Sequence, residues 1–176
     1  FSNMTAESKN VYLSCSVVGC ENVFYSKSVD KSFNIFDSTN ILESDTCYEN
    51  IECEKNYTSQ YLTLCRTCID CAFLIDCTGC RNCILSSNLR NKEFYIRNKP
   101  YSKEDYAREV KKMALGSRAG RQKIIREFEE LQKRALYKFA NIVRCTQSTG
   151  NNLFNAKNCH QCFNAYDIEN STYCYR

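Results

Sequence analysis

Small or apolar residues recur at every third position along most of the chain, and pairs of them define a six-residue unit. From Lys9 the sequence divides into KNVYLS, CSVVGC, ENVFYS, KSVDKS, FNIFDS, TNILES, DTCYEN and onward to EFYIRN, fifteen hexads without a gap, ending at Asn98. The third column holds Val11, Val17, Val23, Val29, Ile35 and Ile41, then mostly cysteine; the sixth is mostly Ser, Cys, Asn and Leu. Of the twenty charged residues between Lys9 and Asn98, only Lys92 falls in either column. Charged side chains avoid interiors, so these two columns face inward. The pattern resumes as KNCHQC, FNAYDI and ENSTYC (Lys157–Cys174), with Asn152, Asn158, Asn164 and Asn170 in its second column. Ala140–Cys145 shares it, with a one-residue slip near Gly150.

A hexad repeat of this kind predicts a mainly β fold, a parallel β-helix. Two versions compete. The left-handed acyltransferase helix uses three hexads per turn with inward residues spaced four and two; here the inward spacing is three and three. Column four decides between them. It reads Tyr12, Val18, Phe24, Asp30, Phe36, Leu42, Tyr48, Glu54, so aromatics repeat at twelve. The sequence therefore predicts a narrow, right-handed β-solenoid with twelve-residue coils of two hexapeptides. Asparagine in column two suits the bends, because it tolerates left-handed backbone. The open ends of such a stack are edges that need caps, and the second block breaks off in mid-repeat at Arg176.

Charge and cysteine divide the chain at the same borders. Residues 102–138 hold eleven Lys and Arg against six Asp and Glu, and no cysteine falls between Ile84 and Arg144. Ser102 followed by Glu104 and Asp105 reads as a helix start. Tyr106, Val110 and Met113 give it one apolar face, and Gly116–Ser117 reads as a stop and a new start. Ile124, Phe128, Leu131, Ala135 and Phe139 form a second helical stripe, braced by Glu129/Lys133 and Glu130/Arg134 pairs. The organisation read from this is a first solenoid block at 1–101, an inserted α-helical hairpin at 102–139 and a second block at 140–176. The hairpin's apolar stripe is expected to pack over Ile84 and Ile96, which continue the Tyr12–Phe36 column.

Fourteen cysteines are many for 176 residues. Thirteen lie in the inward columns and only Cys15 does not, which a local metal motif would not explain. Cysteine here acts as a small apolar filler. Two other chemistries stay open. Cys65, Cys68 and Cys71, with Cys77, Cys80 and Cys83, are spaced three apart and are the candidate ligands for zinc or an iron–sulfur cluster. Cys47/Cys53, Cys65/Cys71 and Cys77/Cys83 face each other across the lumen and are the candidate disulfides of an oxidising compartment. The reading adopted is free thiols, no cofactor and a cytoplasmic setting.

The spacing C-x-x-S-x-x-C resembles that of the beetle antifreeze proteins, narrow right-handed β-helices with twelve-residue coils. The resemblance covers coil geometry only; their Thr-x-Thr ladder is replaced by Asn22/Phe24 and Asn34/Phe36, so ice binding is not implied. Asn88–Tyr106, NLRNKEFYIRNKPYSKEDY, resembles a motif of uncharacterised cysteine-rich repeat proteins of candidate-phyla bacteria, where it also separates cysteine repeats from helices. That resemblance implies the architecture and no catalytic residue.

For function, the column Tyr12, Phe24, Phe36, Tyr48 is the candidate binding face, since contiguous exposed aromatics mark interaction surfaces. Arg118, Arg121, Lys123 and Arg126 form the candidate basic patch for nucleic acid. His160, between Cys159 and Cys162, is the lone histidine and sits at an outward position. Phosphate loops, hydrolase triads and paired catalytic carboxylates do not emerge, and no apolar run is long enough to span a membrane. The expectation is a non-enzymatic structural or assembly module that binds a protein partner or itself, with nucleic-acid binding and a metal or redox role as alternatives.

Overall fold

A computed structural model describes residues 2–175. It is mainly β, 47% strand and 16% helix, so the solenoid carries the architecture. The chain divides into two compact units, Phe1–Leu136 and Tyr137–Arg176.

In the first unit, fourteen short and mostly parallel strands stack in chain order. Register advances by twelve residues throughout: Val11 pairs with Val23, Val23 with Ile35 and Ile35 with Cys47 on one side, while Val17 pairs with Val29, Val29 with Ile41 and Ile41 with Cys53 on the other. Two hexads close each turn, as the aromatic period predicts. The side chains three apart point into a slim lumen, from Val17 and Cys20 through Val23, Val29 and Ile35 to Cys83, all at most 4% exposed.

The turn is built from a backbone device that only column two foreshadows. Every third residue from Met4 to Arg97 has positive φ, near 50–60°, including Leu13, Tyr25, Lys31 and Phe73. Four left-handed residues per coil make four short sides. Asparagine takes many of these positions and bonds its own kind across coils: Asn10 donates to Asn22 and Asn22 to Asn34, both at 2.9 Å.

Such bends leave inward N–H groups without a ladder partner, and the sixth-column side chains supply it. The Ser26 hydroxyl donates to the Phe24 carbonyl at 2.8 Å and accepts from the Ser38 N–H one coil on, at 3.1 Å. Ser14, Ser32, Ser38 and Ser44 repeat the arrangement. Cys20 substitutes for serine in both roles, donating to Val18 at 3.0 Å and accepting from Ser32 at 3.4 Å. Asn50 and Asn56 accept likewise, from the Leu62 and Cys68 N–H groups one coil on, but their amides donate forward, to the Ser59 and Cys65 carbonyls. Among the described residues no buried side-chain nitrogen or oxygen lacks a partner, as a buried polar column requires.

The stack ends where the chain reverses. Strand Lys99–Pro100 pairs antiparallel with Glu93–Ile96. Arg97 and Asn98, both at positive φ, form the two-residue turn between them, the geometry that tight hairpins favour. Helix α1 (Lys103–Lys112) follows, capped by Ser102, whose hydroxyl accepts from the Asp105 N–H. Helix α2 (Arg118–Arg134) is capped in the same way by Ser117.

Three local expectations need correction. The left-handed residue that ends α1 is Ala114, not Gly116. The glycine that the hairpin needs is Gly120, where a Cβ would stand 2.4 Å from the Ala114 carbonyl oxygen. Helix α2 stops because Ala135 turns to extended backbone, so Phe139 never reaches the stripe and is fully exposed. Lys133 pairs with Glu130 at 2.7 Å, an i,i+3 contact one residue closer than the expected partner Glu129.

The hairpin sits on the solenoid over the residues expected. Tyr106, Ile124 and Phe128 are buried in one cluster with Phe73, Ile84 and Ile96. Helix α1 touches strand Glu93–Ile96, and α2 touches Ala72–Ile75 and Arg81–Ser87.

The second unit repeats the template on a smaller scale around Leu153, Ala156, Cys159, Cys162 and Ala165. Its first pairing, Ile142 with Leu153, advances by eleven residues; the next, Gly150 with Cys162, advances by twelve. The slip lies at Gly150, whose φ is +141° and whose added Cβ would fall 1.7 Å from the Cys162 carbonyl oxygen. Only glycine fits the shortened turn.

Candidate binding face

One outer wall of the first unit differs from the other three. Its outward positions, two per coil, read Tyr12/Leu13, Phe24/Tyr25, Phe36/Asp37, Tyr48/Glu49, Gln60/Tyr61, Ala72/Phe73, Ile84/Leu85 and Ile96/Arg97. The other walls mix charged and polar residues with scattered exposed apolar ones, among them Val18, Phe33, Ile51 and Tyr57, and carry no comparable aromatic stack. The coil register stacks the aromatics upon one another: Phe24 and Phe36 lie parallel with centroids 5.1 Å apart, and Tyr12 meets Tyr25 edge-on at 5.8 Å.

All four candidate residues, Tyr12, Phe24, Phe36 and Tyr48, therefore share one surface. Tyr12 is 44% and Phe36 40% exposed, while Phe24 and Tyr48 are half-buried by their neighbours. The wall also holds residues that column four alone does not reveal. Leu13 and Tyr25 occupy the adjoining left-handed positions and are exposed at 48% and 56%. Asp37 and Glu49 take the same positions two and three coils on from Leu13. Glu49 bonds the Tyr48 hydroxyl and, with burial, pushes that phenol above its ordinary pKa. The signal that would have found these residues is the fifth column read in alternate hexads.

The aromatic run does not stop at Tyr48. Tyr61 meets Tyr48 edge-on at 5.6 Å and stacks on Phe73 at 4.6 Å. Phe73 then meets Phe128 of α2 at 5.5 Å. The wall is thus continuous from Tyr12 to Ile96, and the hairpin covers only its far end. Beside that covered end, Arg97 grips Glu127 of α2 with two hydrogen bonds, 2.9 and 2.6 Å.

The second candidate feature is inside. Cys65, Cys68, Cys71, Cys77, Cys80 and Cys83 are at most 2% exposed and occupy three sides of two successive coils. Each sulfur neighbours those three and twelve residues away: Cys68 contacts Cys65, Cys71 and Cys80, and Cys80 contacts Cys68, Cys77 and Cys83. All fourteen cysteines are free thiols. Several donate to the carbonyl two residues back, Cys71 to Ile69 at 3.2 Å and Cys83 to Arg81 at 3.2 Å. Burial pushes the Cys47 thiol to about 11 and the Cys53 thiol to about 12. Thiol donors on either side pull Cys68 and Cys80 the other way. Among the described residues, no three His, Cys, Asp or Glu side chains are arranged to hold a metal ion.

The candidate basic patch is spread out. Arg118, Arg121, Lys123 and Arg126 are all exposed on α2. At about 100° per residue, however, Lys123 lies about 200° around the helix from Arg121, so the four do not form one cluster. Arg121 is near enough to Tyr61 to act on its phenol. His160 is exposed in the second unit, on a coil bridging to Thr172. No described helix is long and apolar enough to cross a membrane.

No protein-family model matches the chain, and no curated protein matches it.

Proposed function

We propose that the chain is a non-enzymatic scaffold, a β-solenoid that holds its aromatic wall ready for a protein partner. The observation that carries this reading is the unequal use of that wall: the far end is buried under the chain's own hairpin, while Tyr12, Leu13, Tyr25 and Phe36 remain exposed. Isolated exposed apolar residues are common, but a contiguous stack of them is a mark of an interaction site. The wall is also rigid. Its side chains stand on a backbone laddered on both sides, so binding costs little ordering entropy.

The test compares the intact chain with a Tyr12→Ser/Phe36→Ser variant as baits in a lysate of the source cells, with quantitative identification of captured proteins. Light scattering on both runs in parallel, to register self-association. A defined protein, or a second copy, held by the intact chain and released by the variant is the expected result. Capture and mass that are identical for the two, with the variant's melting temperature unchanged, would remove the reading.

A further inference from the structure

Resting on that reading, we infer the kind of partner: an amphipathic α-helix with a basic flank, laid across the bare coils from Tyr12 to Tyr48 beside the resident hairpin.

The argument begins with what the covered part of the same wall already accepts. Two helices pack there, α1 on strand Glu93–Ile96 and α2 on strands Ala72–Ile75 and Arg81–Ser87. Coils rise about 4.8 Å apart and a helix is about 10 Å across, so each helix takes roughly two coils. The bare stretch runs on from the covered one without a break in the aromatic chain, through Tyr48, Tyr61 and Phe73 to Phe128. Its four coils span about 14 Å between Tyr12 and Tyr48, room for one further helix beside α2.

Charge sets the character of that helix. At the covered end the left-handed position holds Arg97, and the seated helix answers with Glu127. In the same column of the bare stretch stand Asp37 and Glu49. With the sign inverted, the helix that answers them carries Lys or Arg beside its apolar stripe. A second copy does not supply it, because α1 and α2 both bury their apolar faces on their own wall.

The test uses the full chain and two synthetic probes. One is an amphipathic peptide of about 18 residues, five helical turns, with a Leu stripe flanked by lysines. The other replaces every lysine with glutamate. A scrambled lysine peptide serves as control, and binding is read by fluorescence anisotropy at about 0.15 M salt. The lysine peptide is expected to bind at least about tenfold more tightly than its glutamate twin and than the scrambled control, a difference of about 1.4 kcal/mol. Asp37→Lys/Glu49→Lys should reverse the order; lysine accepts this backbone conformation, as Lys31 and Lys55 at the matching left-handed position of the opposite wall have φ of 46° and 54°. Tyr12→Ser/Phe36→Ser should abolish binding of the lysine peptide. Failure of that peptide to bind, equal affinity for all three, or a preference untouched by Asp37→Lys/Glu49→Lys would overturn the inference. The two readings fail separately. A captured partner that depends on the wall but is not displaced by the lysine peptide sinks the helix and spares the face. A peptide that binds the wall while no captured protein depends on it sinks the scaffold reading alone.

Discussion

Coils 9–48 and coils 60–96 follow one backbone template yet are held together differently. In the first group the lumen is Val, Ile and Ser apart from Cys20 and Cys47, the serine hydroxyls bond in both directions, and the aromatic wall is bare. In the second the lumen holds a run of six cysteines, Cys65 to Cys83, broken only by Leu74, and the wall lies under a helical hairpin. The comparison separates what the coil needs from what it tolerates. It needs a small inward side chain that can donate to a nearby carbonyl and, in the sixth column, accept from an N–H one coil on. Serine, cysteine and asparagine all qualify, and Cys20 between Ser8 and Ser32 shows the exchange directly. Outside, the wall is free to vary, and its variation decides which coils recruit a helix.

Alkaline pH should act most strongly at the seam between the two groups, where Cys47 and Cys53 lie. Burial holds Cys47 at about 11 and Cys53 at about 12, against 9.0 for an ordinary thiol. These groups stay protonated in the fold after they have ionised in the unfolded chain. Their contribution is therefore complete below pH 9 and is lost as pH climbs toward 11 and 12, on the order of 1.4 kcal/mol per thiol per pH unit. Urea unfolding at pH 8 and pH 10 checks it; Cys47→Ser/Cys53→Ser should flatten the pH dependence. Next in size, Phe128→Ala should cost about 4 kcal/mol and release the hairpin, so that amides of α1 and α2 exchange early while those of coils 9–48 keep their protection. At the border between the groups, Asn56→Leu strands the Cys68 N–H, which the amide oxygen accepts at 2.8 Å, and removes one of the two donors to the Cys65 carbonyl. About 3 kcal/mol of destabilisation is expected from chemical denaturation. Ser38→Ala, deep in the hydroxyl lumen, should lose about 1.5 kcal/mol, and Ser38→Cys noticeably less. Arg97→Gln should lower stability by less than about 1 kcal/mol, since its pair with Glu127 is half exposed.

The sequence made some of this legible and hid the rest, for physical reasons. Inward residues are selected for size and against charge, so columns three and six stand out, and the twelve-residue turn follows from Tyr12, Phe24, Phe36 and Tyr48. The seat of the hairpin over Ile84 and Ile96 was readable in the same way, as an extension of that column. Column five was not. Its left-handed backbone is imposed by the neighbouring coils on Leu13, Tyr25, Lys55 and Phe73 alike, and no residue preference betrays it. For that reason the sequence alone does not mark Asp37 and Glu49 as members of the face. The end of α2 before Phe139 was hidden too, because the apolar spacing runs on past the point where Ala135 leaves the helix. The reversal at Arg97–Asn98 lacks the glycine that usually announces such a turn.

The left-handed torsion at every third residue has one more consequence. Each such residue other than glycine or asparagine carries a penalty of about 1–2 kcal/mol, which no coil can offset alone. The ladder above and the ladder below must share it. A coil laddered on one side only should thus fray first, and assembly from the disordered chain has to wait until several turns have closed together. Length in such a molecule changes safely by whole turns, and a foreign segment is admitted most cheaply at a seam between them.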